Sequence, residues 1–96
     1  MNKQKVLQIL TENKPLLQKK YGVDSLSLFG STARDTATET SDIDILISFR
    51  EKANSSKYFG VLFHLEDLLK SPIDLVTTSA LRPELKAQIE AEKIDV

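Results

Sequence analysis

The sequence predicts an α/β (α+β) domain: a small mixed β-sheet of about three strands, backed by helices, in the order α-β-α-β-α-β-α. Three observations carry that prediction. Short stretches with strand period (Ser25 to Phe29, Asp42 to Phe49, Ile73 to Thr77) alternate with stretches whose apolar residues recur at helical spacing. Gly22, Gly30 and Pro72 punctuate the joins. The 96 residues contain no internal repeat, which points to one compact domain over 1–96.

The first helix is expected from Asn2 to Tyr21, with Val6, Ile9, Leu10, Leu16 and Leu17 on its apolar face and Gly22 as its stop. Pro15 interrupts that pattern. It predicts a kink, or two short helices with Asn13 capping the second. In the strand that follows, Leu26 and Leu28 alternate with Ser25 and Ser27, and the strand runs into Gly30-Ser31. Ser31 to Asp35 can form one or two helical turns, and Thr36 to Thr40 reads as an exposed loop.

The second strand places Ile43, Ile45 and Ile47 on one face and Asp42, Asp44, Leu46 and Ser48 on the other. Such a strand is expected to be central, its polar end at the rim of the sheet. Arg50 to Ser56 is polar loop. Tyr58, Val61, Leu62, Leu65, Leu68 and Leu69 then mark an amphipathic helix from about Ser56 to Lys70. Ile73 to Thr77 is the third strand, apolar except for Asp74. The last helix is expected from Ser79 or Ala80, with Pro83 in its first turn and Leu81, Leu85 and Ile89 as its buried stripe.

Composition narrows the function. Thirteen Lys and Arg against 14 Asp and Glu give a net charge of −1, with no basic run, so binding to a nucleic-acid polymer is not expected. Without cysteine there is neither a disulfide nor a thiolate metal site. No signal core and no membrane-length apolar segment is visible, so a soluble cytoplasmic protein is the expectation.

The chemistry concentrates between Leu26 and Ser48. Gly30 permits a tight turn and close approach of a phosphate, and Ser31 can open a helix whose N–H groups favour anions. Asp42 and Asp44, two apart on a strand, project from one face and can share a metal site. Alone, an Asp-x-Asp pair is more often a loop cap at the start of a strand. Here it sits on an isoleucine-rich strand, where two uncompensated carboxylates repel each other and lose hydration unless a cation joins them. Asp74 repeats the theme, although a lone strand acid can simply discourage edge pairing. If the third strand lies beside the second, all three carboxylates can face one pair of Mg²⁺ ions; oxygen donors suit Mg²⁺ or Mn²⁺ rather than zinc.

Gly30-Ser31-Thr32-Ala33-Arg34, then Ser41-Asp42-Ile43-Asp44-Ile45-Leu46-Ile47, resembles the signature of the DNA polymerase β-type nucleotidyltransferase superfamily. More narrowly, it resembles the minimal nucleotidyltransferase (MNT) proteins, antitoxin partners of HEPN-domain toxins. The likeness covers nearly the whole chain, including Ile73-Asp74-Leu75-Val76-Thr77. It implies a palm-like nucleotidyltransferase fold, with ATP or another NTP as substrate and two Mg²⁺ ions as cofactors. Gly30 and Ser31 would hold the β- and γ-phosphates. Asp42 and Asp44 would bind both metals, and Asp74 would complete the catalytic metal's shell and help deprotonate the attacking hydroxyl. For Arg34 two readings stand: a phosphate contact, or an ion pair with Asp35, Glu39 or an acid at the sheet edge. Asp35 departs from the pattern. It stands where many relatives carry glycine, and it adds negative charge near the expected phosphates.

The function implied is Mg²⁺-dependent transfer of a nucleoside monophosphate, AMP from ATP, to a hydroxyl of a partner protein, typically a tyrosine of a HEPN toxin. The chain appears as half of a site, with the acceptor brought by another molecule. One alternative is an antitoxin that has lost turnover and acts by binding its partner, a reading Asp35 favours; another is transfer to a small molecule. A homo- or hetero-oligomer is compatible with the apolar helix surfaces. His64 reads as a surface or boundary residue, and Phe59 and Phe63 as packing residues, or as an exposed pair meeting a partner protein.

Overall fold

The computed structural model describes residues 2–38 and 41–96. Four helices and four strands follow in the order α1 (Lys3–Tyr21), β1 (Val23–Phe29), α2 (Gly30–Ala33), β2 (Ile43–Phe49), α3 (Ser55–Leu69), β3 (Ile73–Thr77), α4 (Pro83–Glu92) and β4 (Ile94–Asp95). A 3₁₀ turn, Thr78–Ala80, separates β3 from α4.

The sheet has the order β3-β2-β1-β4. It is mixed, as expected: β1 runs antiparallel to β2 and β4, and β2 runs parallel to β3. It has four strands, one more than the three the sequence marks. The additional strand is two residues long, too short to show a period, and Leu28 of β1 pairs with its Ile94. β2 is internal, as its doubly apolar pattern requires.

α1 and α3 cover one face. Val6, Leu10 and Leu17 from α1 and Val61, Leu65 and Leu69 from α3 meet Leu26, Leu28, Ile43, Ile45 and Ile47 in the main core. Truncating a fully buried leucine here, such as Leu65, to alanine costs about 2–5 kcal/mol through lost transfer energy and the cavity left behind. Val23 also faces this core despite its odd number, because a register irregularity between Val23 and Ser25 resets the alternation.

α1 is one helix through Pro15, which corrects the alternative of two short helices. Proline leaves the Thr11 carbonyl without its helical donor, but Thr11 and Pro15 are both exposed, so water can satisfy that group. Asn13 does not cap a second helix; its Nδ2 donates to Ile9 O at 2.8 Å. The helix is capped instead by Asn2, whose Oδ1 accepts the Lys5 N–H at 2.8 Å, and ended by Gly22 at φ +72°.

α4 lies on the other face and covers only part of it. Ile89 packs with Phe29 and Leu46 in a second, smaller cluster, flanked by Val76 and Leu81. Leu85 does not join the buried stripe and is exposed. The helix begins at Pro83, later than the expected Ser79 or Ala80, because the intervening residues form the 3₁₀ turn and an extended link.

Candidate active site

Beyond the edge of this second cluster, three segments meet at one rim. β1 ends at Phe29, which is paired with Asp44 of β2, and the chain turns at Gly30 into α2. Gly30 has φ +74°, a conformation L side chains rarely adopt. It also needs the absence of a side chain: a Cβ built there would stand 2.8 Å from Asp44 Cγ, and nearer still to Oδ2. The turn therefore lies directly against the Asp44 carboxylate.

The parallel pairing of β2 with β3 makes Asp44 and Asp74 register partners. The two side chains are neighbours on one face, as the expected adjacency of these strands requires. Asp42 stands one residue ahead of β2 and is exposed. Burial pushes the Asp44 carboxyl up to about 6; the charge of Asp74, a side-chain hydrogen bond between the two acids and the charge of Asp42 add to the shift, and Arg34 opposes it. A cation joining these oxygens would remove the repulsion.

The donor set fits Mg²⁺. Among the described residues no group of three acids or histidines is closed around one ion position. Mg²⁺ does not need one, because it is commonly held by one or two carboxylates together with substrate phosphates and water.

Ser31 is half-buried in the first turn of α2. Arg34 forms an ion pair, with a partner the sequence did not suggest. Its Nη1 donates to Glu92 Oε1 and Oε2 at 3.1 and 3.0 Å. Glu92 also accepts the Gly30 N–H at 3.4 Å. Glu39, one of the suggested partners, lies outside the described residues, as does Thr40 of the expected loop. Asp35 pairs instead with Lys3 Nζ at 3.4 Å. Its φ of +58° is the left-handed conformation that glycine would favour at this position.

The remaining candidates lie away from the rim. His64 is half-buried on α3, near the Tyr21 ring, and its Nε2 is buried without a hydrogen-bond partner. Phe59 and Phe63 stack with centroids 5.9 Å apart and are 47% and 61% exposed, so they are the exposed pair rather than core packing. A cavity of about 610 Å³ lies at the opposite end of β2, lined by residues such as Phe49, Tyr58 and Thr77, and contains none of the candidate acids.

A mixed sheet carrying a glycine-serine turn against paired strand carboxylates is the framework of a nucleotidyl-transfer domain. Residues 6–96 match the family model described as a nucleotidyltransferase domain, and the chain belongs to that family and is a nucleotidyltransferase. It is 42% identical over 92 residues, 95% of this chain and 94% of the other, to a Methanocaldococcus jannaschii chain provisionally named a protein adenylyltransferase. It is 34% identical over 93 residues, 97% of this chain and 94% of the other, to the protein adenylyltransferase MntA of Thermococcus cleftensis. A solved structure described as a minimal nucleotidyltransferase superposes with a TM-score of 0.84 at 31% identity, covering 100% of this chain and 97% of that one. The fold also matches, at 22% identity and a TM-score of 0.60, a Shewanella oneidensis complex of a tri-AMPylated HEPN toxin with its MNT antitoxin, with 98% of this chain and 67% of that one covered. Among the described residues no helix is long and apolar enough to cross a membrane.

Proposed function

We propose that this nucleotidyltransferase moves AMP from ATP to a hydroxyl on a partner protein, and that the partner is a HEPN toxin for which the chain is the antitoxin. The observation that carries the reading is the side-by-side placement of Asp44 and Asp74 against the Gly30 turn. The names of its relatives support protein as the acceptor class, and the MNT–HEPN complexes that share its fold support the partner.

In this reading the turn and the acids divide the work. Ser31, through its hydroxyl and the neighbouring N–H groups, binds the β- and γ-phosphates, while Gly30 lets them approach the backbone. Asp42, Asp44 and Asp74 hold two Mg²⁺ ions. When bound, the ions offset the charge that develops on the attacking and leaving oxygens. Asp74 accepts the proton of the incoming hydroxyl. That oxygen forms a bond to the α-phosphorus as the bond to the bridging oxygen breaks, and pyrophosphate leaves.

Incubation with ATP, Mg²⁺ and the product of the adjacent gene, read by intact mass, tests the proposal. An added AMP on the partner is expected, and no addition with any ribonucleoside triphosphate would overturn it. The alternative of inhibition by binding alone is separated by Asp42→Ala with Asp44→Ala: neutralisation that survives both changes would assign the effect to the interface.

A further inference from the structure

α4 ends on a side chain that reaches back to the phosphate turn. Glu92 is largely covered, at 21% side-chain exposure, and its carboxylate accepts from two groups that the nucleotidyl-transfer reading would otherwise offer to phosphate: the Gly30 N–H and the Arg34 guanidinium. The Gly30 N–H and the Arg34 Nη1 therefore already face an anion.

The support behind that carboxylate is fixed on both sides in sequence. Three residues earlier, Ile89 is buried against Phe29 and Leu46. Two residues later, Ile94 pairs with Leu28. Glu92 is therefore held relative to the end of β1, where the turn begins. Asp44 presses on the same residue from another side, leaving no room for a Cβ on Gly30. The turn is held through its amide by Glu92 at 3.4 Å and bounded at its Cα by Asp44.

We propose that Glu92 is a positioning residue: it clamps Gly30 and Arg34 so that Ser31 faces the Asp44–Asp74 pair, and Arg34 serves the site through this clamp rather than as a phosphate ligand. This rests on the nucleotidyl-transfer reading above. It assigns a role in the site to the C-terminal end of α4, 58 residues from Arg34 in the chain.

The test measures binding of a fluorescent ATP analogue with Mg²⁺ to the wild type, Glu92→Gln, Arg34→Gln and the double variant, each checked for an unchanged melting temperature. Each single change is expected to weaken binding about tenfold, the equivalent of ~1.4 kcal/mol. The double variant is expected to be no weaker than the worse single one, since both remove the same pair. Glu92→Asp, which keeps the charge, is expected to recover part of the loss, and it carries the test if Glu92→Gln does not fold. Unchanged binding in Glu92→Gln would overturn the proposal. Tighter binding in Glu92→Gln with weaker binding in Arg34→Gln would also overturn it, by making Arg34 a phosphate ligand that Glu92 obstructs. Failure of the wild type to bind would remove the nucleotide reading itself.

Discussion

Gly30 and Asp44 share one space: the Asp44 carboxylate lies where a side chain on residue 30 would project. This contact ties the turn that ends β1 to the acid at the second position of β2, and it makes glycine obligatory for two separate reasons. The backbone is left-handed at φ +74°, and there is no volume for a methyl group.

Gly30→Ala should therefore lose about 2–4 kcal/mol, combining the roughly 1–2 kcal/mol cost of the left-handed conformation with an overpacking term of similar size. Urea unfolding measures the loss. Adding Asp44→Ala removes the obstruction but not the backbone strain, so the double variant should recover only the overpacking part.

The raised Asp44 carboxyl predicts how stability depends on pH without metal. Between its ordinary value of 3.8 and about 6, the folded state holds a proton that the unfolded state has released. Stability from this group therefore falls as pH rises through that window, and the penalty is complete above it. Asp44→Asn should flatten the slope and raise the melting temperature at pH 8, with little change at pH 4. A variant that melts lower than wild type at pH 8 would contradict this assignment.

Asp35 occupies a glycine-like backbone conformation and returns only an exposed ion pair with Lys3. Exposed pairs contribute about 0–1 kcal/mol, while glycine relieves the left-handed strain, so Asp35→Gly should stabilise the fold by roughly 0.5 kcal/mol. Thermal melting should show a rise of a few degrees. A fall would mean that the ion pair outweighs the strain.

Much of this arrangement is legible in the sequence because it rests on local periods. The alternation of Leu26 and Leu28 with serines, and of Ile43, Ile45 and Ile47 with Asp44 and Leu46, specifies strands and faces, and the main core uses those faces as written. Gly30, Asp44 and Asp74 are visible as candidates for the same reason. What the sequence conceals depends on distant partners. Pro15 signals a break, but Val6, Leu10 and Leu17 bury into one core on both sides of it and hold the helix together. β4 is too short to have a pattern. Leu85 completes a helical stripe on paper, yet α4 is tethered mainly through Ile89 and leaves Leu85 in solvent. Glu92 looks like one more charge on a polar helix until the fold brings it to Arg34 and Gly30.

In the proposed function these acids direct nucleotidyl transfer to an acceptor on another protein. One comparison tests this at the reacting phosphorus: ATP labelled at the α-phosphorus against ATP labelled at the γ-phosphorus, each incubated with Mg²⁺, this protein and the product of the adjacent gene. Label on the partner is expected from the α position only, and none when Asp42→Ala and Asp44→Ala are combined. Label arriving from the γ position, or persisting in the double variant, would contradict it.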